Sequence, residues 1–219
     1  MRVLRNNGLS IALTILFLIT LAGQSVAGFK NENEERRKHG EPPQSYGTYL
    51  RSPAMLEATA ENWESEFFQM GVYVLITVFL FQKGSVESKD PEKKSAKVDR
   101  EPDPNRPGAP WPVKRGGFIL ALYKRSLALA FLILFLASFV AHAIGGAGVY
   151  NEEQLDHPGS RPVSVLGYMQ TSRFWFESLQ NWQSEFLAVL SIVVLSIHLR
   201  QFGSPESKPV DAPHSETGE

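Results

Sequence analysis

Four dense apolar blocks, with nearly all of the charge gathered between them, constrain this chain more than any other feature of its sequence. The first, Leu9–Ala22, continues through Gly28, so residues 8–28 offer 21 positions, and the third, Ser126–Gly146, has 21 as well. At a rise of about 1.5 Å per residue, each crosses a hydrocarbon core of about 30 Å as a helix. The second and fourth blocks, Phe67–Phe81 and Phe186–Leu199, have only 15 and 14 residues, the length of a buried core helix. Each is preceded by an amphipathic segment that lengthens it to membrane thickness. The mean hydropathy of −0.16 hides this segregation. The pattern predicts an all-α integral membrane protein with four transmembrane helices and amphipathic interfacial helices.

The blocks repeat in pairs. Asn62–Lys89 and Asn181–Lys208 align without a gap at an offset of 119, with 13 of 28 positions identical. Asn62-Trp63-x-Ser65-Glu66-Phe67 matches Asn181-Trp182-x-Ser184-Glu185-Phe186, and Gln82-x-Gly84-Ser85-x-Glu87-Ser88-Lys89 matches Gln201-x-Gly203-Ser204-x-Glu206-Ser207-Lys208. At an offset of 118, Leu16-Phe17-Leu18 matches Leu134-Phe135-Leu136, Asn33-Glu34-Glu35 matches Asn151-Glu152-Glu153, and His39 matches His157. The expected organisation is a tandem duplication: a two-span repeat over 1–89, a flexible linker over 90–117, a second two-span repeat over 118–208, and a disordered tail over 209–219.

These motifs, a repeated NWxSEF followed by a span and then QxGSxESK, resemble an uncharacterised bacterial family of four-span membrane proteins catalogued as a domain of unknown function. The resemblance covers both repeats and leaves out the linker and tail. It implies no activity, cofactor or catalytic residue.

Arg2, Arg5, an apolar stretch and Ser25-Val26-Ala27 also fit a signal peptide. The matching block at Ser126–Gly146 is internal, which favours retention of the first block as a span. Six prolines between Pro91 and Pro112, in a dense mixture of charges, read as an extended linker. Counting Lys and Arg places fifteen on the side of the termini and linker and seven on the other. The excess predicts an inner-membrane protein with both termini cytoplasmic. Two spans per repeat insert both repeats in the same direction.

Candidate functional positions are few. Leu56, Ala60, Trp63 and Phe67 form one apolar stripe, repeated by Trp175, Leu179, Trp182 and Phe186. Tryptophan suits the headgroup level, so the stripe reads as an interfacial anchor or a partner-docking face. Glu66 and Glu185 lie one turn beyond Asn62 and Asn181 at the edge of the apolar blocks. A carboxylate there is costly, and a symmetric pair is a site hypothesis. With His39 and His157 the acids make a weak His/Glu cation signature, without the tight spacing of a metal site. Gly23 and Ala27 match Ala141 and Gly145, small residues at four-residue steps that allow close helix packing, beside the polar Gln24 and His142.

No cysteine is present, which excludes disulfides and thiolate chemistry. A net charge of −1 and a pI near 6.5 give no reason to expect nucleic-acid binding. No phosphate-binding loop, dinucleotide fingerprint or hydrolase motif occurs. No catalytic residue, metal or cofactor is expected. The leading expectation is a non-enzymatic membrane scaffold or envelope-associated protein whose partners are the lipid bilayer and another copy of itself or a membrane protein. The rivals are a transporter with its site at the repeat interface and a metal-dependent membrane enzyme.

Overall fold

The computed structural model describes residues 2–93, 96–155 and 161–218. Among these residues the regular structure is helical, and no strand occurs. The long helices are α1 (Arg2–Lys38), α3 (Pro53–Ile76), α6 (Ser126–Leu155) and α8 (Ser172–His198). Short helices α2 (Tyr46–Tyr49), α4 (Trp111–Arg115), α5 (Gly117–Tyr123) and α7 (Val165–Tyr168) lie between them. Two helices are long and apolar enough to cross a membrane on their own, Val3–Lys38 and Ser126–Leu155. The apolar side chains of α1 stand largely exposed, Leu9, Leu13 and Ile19 among them. That exposure suits a helix whose solvent is lipid.

Local chemistry sets the helix boundaries. Ser45 Oγ accepts from the Thr48 amide at 3.2 Å and caps α2, and Ser164 Oγ accepts from the Gly167 amide at 3.1 Å and caps α7. Ser52 Oγ accepts from Met55 N, with Pro53 in the first helical position of α3, where its missing N–H costs nothing. Arg36, Arg37 and Lys38 close α1 and complement its dipole. Helix α3 runs 24 residues and α8 runs 27, each continuous from its amphipathic segment into its apolar block. Within residues 90–117, Lys97–Asp99 forms a 3-10 turn and Trp111–Arg115 forms α4.

The chain divides into two compact units. The first joins Met1–Ala60 to Ala141–Thr171. Here the buried Asn33 holds a loop by both ends of its amide, donating to Gln44 O at 3.2 Å and accepting from Gln44 N at 2.7 Å. Asn151 does the same with Val163, at 3.0 and 2.8 Å. The buried rings of Tyr49 and Tyr168 lie against Gly28 and Gly146, where a Cβ would collide with the phenol. Gly145 faces the backbone of Glu57, and Gly148 faces Pro53. Close approach therefore falls at Gly28, Gly145, Gly146 and Gly148. Ala141 is half-buried, Ala27 is exposed, and Gly23 has open space about its Cα.

The second unit joins Glu61–Val140 to Ser172–Glu219. Its centre is aromatic. Phe68 stacks on Trp182 with centroids 4.3 Å apart and touches Phe135 at 5.1 Å and Phe186 at 5.9 Å. Tilted and edge-to-face pairs of this kind add to the packing beyond their buried area.

Candidate functional site

The two NWxSEF copies adopt the same local bond, Ser65 Oγ donating to Asn62 O and Ser184 Oγ to Asn181 O, both at 2.8 Å. Their tertiary roles diverge. The Trp182 indole donates to Glu64 Oε1 at 3.1 Å, and the Asn181 amide donates to the Glu61 carboxylate. Glu64 is fully buried and Ser65 nearly so. A buried carboxylate is tolerated only when hydrogen bonds replace its hydration, and the indole supplies one of them. Trp63, by contrast, stands 40% exposed, as a headgroup-level ring would. On α8 the buried residues of the first turns are Phe174 and Ser178, so the stripe begun by Trp175 and Leu179 lies beside the buried face.

Glu61 and Glu64 were not among the candidates read from the sequence. The second copy carries Gln180 and Gln183 at the equivalent positions, so the variable x of NWxSEF hides the acid that is buried. The divergence between the copies is the signal that marks it. Glu66 is exposed and Glu185 half-buried, and the charge of Glu66 acts on Glu185. Asn62 is exposed and makes polar contacts of its own.

The QxGSxESK copies fold alike, hydrogen bond for hydrogen bond. Gly84 and Gly203 turn the chain at φ of +88° and +83°, a conformation that only glycine adopts freely. The Gln82 amide donates to Ser88 Oγ at 2.8 Å and the Gln201 amide to Ser207 Oγ at 2.9 Å. Glu87 N and Glu206 N donate to Ser85 Oγ and Ser204 Oγ, both at 3.2 Å. Serine hydroxyls thus close each turn on its own backbone. The closing lysines bind carbonyls. Lys89 Nζ reaches Val78 O at 2.9 Å and pairs with Asp99. Lys208 Nζ, buried, reaches Pro213 O, His214 O and Glu216 O at 3.2, 2.9 and 2.9 Å. Burial and the neighbouring Arg200 pull the Lys208 ammonium below the usual lysine range.

The two turns meet. Ser85 Oγ lies 3.1 Å from Ser196 Oγ, Gly84 N donates to Thr217 Oγ1 at 2.9 Å, and Gly218 N donates to Ser85 O at 2.9 Å. Residues 209–218 therefore fold back on the first motif. The carboxyl of Glu206 stands beside that of Glu87, and the Tyr73 hydroxyl donates to Glu87 Oε2 at 3.2 Å. Burial, then the neighbouring Glu206, push the Glu87 carboxyl above its ordinary range, with Tyr73 opposing. The two acids stand at equivalent motif positions.

His39 is exposed at the end of α1, its Nδ1 3.0 Å from Glu35 O. His157 lies outside the described residues. Among those residues, no three His, Asp or Glu side chains gather as a metal group. His142 is fully buried, and Gln24 Nε2 donates to Ala58 O at 3.2 Å.

A family model described as a domain of unknown function, DUF6766, matches residues 1–219. The chain belongs to that family. The match takes in the linker and tail together with the motifs. No curated protein and no solved structure is similar enough to add a relative.

Proposed function

We propose that this chain is a four-span inner-membrane protein of two tandem repeats, with both termini and the linker cytoplasmic, serving as a non-enzymatic scaffold. The observation that carries the scaffold reading is the use to which the repeated polar residues are put. Asn33 and Asn151 tie loops, Ser45 and Ser164 cap helices, and in QxGSxESK the serines close turns on backbone amides and the lysines on backbone carbonyls. Motifs of this kind fix a shape. The matching bonds also support descent of the halves from one two-helix unit, and α3 and α8, continuous at about 36 and 40 Å, have the length to span.

A second reading, transport of a proton or small cation, draws on the charge of exposed Glu66 acting on half-buried Glu185. Liposomes containing the purified chain and a pH-sensitive dye separate the two. The scaffold reading expects proton leak equal to that of empty vesicles. A flux abolished by Glu66→Gln with Glu185→Gln would replace it with transport.

A further inference from the structure

An apolar groove of about 780 Å³ runs between α3 and the first half of α6, within the second unit. Ring contact of Phe68 with Phe135, and the approach of Gly71 to Phe131, set the two helices antiparallel. Residues 78–79 therefore share one end of the groove with Lys124 and Arg125, which line its mouth. Gly71 lets the two helices approach closely at Phe131, and the groove lies alongside that contact. From Phe67 to Leu75 the groove follows α3 for about 12 Å at the helical rise, and it continues along the turn to Phe79. One leaflet of a bilayer is about 15 Å deep, half of the hydrocarbon core.

We propose that this groove seats one acyl chain of an anionic phospholipid whose headgroup is held by Lys124 and Arg125. The occupant follows from the lining. A groove one leaflet long, apolar throughout and closed by two cations at one end, matches a single lipid in both length and charge. Lys124 already has a competing anion: its Nζ lies 3.2 Å from Glu101 Oε2 on a largely exposed side chain. Glu101 is the built-in rival of the lipid phosphate. Arg125, held by its own Ala121 carbonyl at 3.3 Å, keeps further donors in its fork for a phosphate. The site lies beside the scaffold role and does not depend on it.

Native mass spectrometry of the full chain, with phosphatidylglycerol or phosphatidylcholine added to the detergent micelle, tests the proposal. One phosphatidylglycerol per chain is expected to stay bound, in preference to phosphatidylcholine. Each cation near a membrane surface strengthens anionic binding roughly fivefold, so Lys124→Gln with Arg125→Gln lowers retention by about 25-fold. Glu101→Gln raises retention by removing the rival. Phosphatidylglycerol carrying a diazirine on its acyl chain should label residues 67–79 or 127–135. Equal retention of the two lipids, or unchanged retention in the Lys124/Arg125 variant, overturns the proposal. So do labels spread over all four long helices, or a groove closed by a second copy in a lipid-free dimer.

Discussion

Glu87 and Glu206, 119 positions apart in the chain, bring their carboxyl groups together from the same place in two copies of one motif. The neighbouring acid adds to burial in disfavouring the ionised form of Glu87.

The raised position of Glu87 sets the sign of a pH dependence. The folded chain holds the Glu87 proton more tightly than the unfolded one, so stability declines as pH rises from the ordinary carboxylate range through the raised value. Below the ordinary range both states are protonated and the dependence vanishes. Thermal unfolding in detergent across that window should show the decline. Glu87→Gln, which keeps a donor without a charge, should flatten it and raise the melting temperature at neutral pH. An unchanged profile in that variant would assign the dependence to other groups.

The amide clamps give a second test. Asn33→Ala removes both hydrogen bonds to the half-buried Gln44 backbone, and should cost about 1–3 kcal/mol for the two, read as a lower melting temperature. Asn33→Asp keeps the acceptor and loses the donor, so its loss should be smaller. The same ranking is expected at Asn151.

Glycine positions on α1 should separate sharply. Gly28→Ala sets a methyl against the Tyr49 phenol, and overpacking of this sort costs about 1–3 kcal/mol. Gly146→Ala meets Tyr168 in the same way. Gly23→Ala meets nothing within 4 Å, and the gain in helix propensity should leave stability unchanged or raise it slightly. Equal losses at Gly23 and Gly28 would contradict this packing.

The buried acid ranks its own variants. Glu64→Gln keeps an oxygen for the Trp182 indole, whereas Glu64→Ala strands that N–H and opens a cavity. Unfolding followed by indole fluorescence should find Glu64→Ala the less stable by about 1.5–3 kcal/mol, the range for a hydrogen bond to a charged group. Glu66→Gln, at an exposed position, should leave the stability within about 0.5 kcal/mol of the parent.

Topology follows from the fifteen-to-seven division of basic residues. Reporter fusions after Lys89 and at the C-terminus should read cytoplasmic, and a fusion at Gly40 should read outside. An external signal at Lys89 would reverse the orientation.

What the sequence determined by itself was local or compositional. Apolar block length marked α1 and α6, because a membrane-spanning helix satisfies its own backbone and needs only some twenty apolar residues to declare itself. Ser52-Pro53 carries a helix-start signal in its own residues, because a cap acts within three residues, whereas the caps at Ser45 and Ser164 were found only in the structure. The motif copies were also legible, and Gly84 and Gly203 stand where the turn demands a left-handed backbone. Tertiary structure alone decided which acids meet and which are buried. Glu66 and Glu185 are legible as a symmetric pair from their place at the block edges, whereas Glu87 stands beside Glu206 only through folding. Glu64 is buried and Glu66 exposed although two residues separate them, because a helix turns about 100° per residue and only one of them faces Trp182. Residues 209–218 read as an unstructured tail from their polarity. They are held because Lys208 and Gly218 find carbonyls supplied by distant folding, and no local composition encodes such a partner.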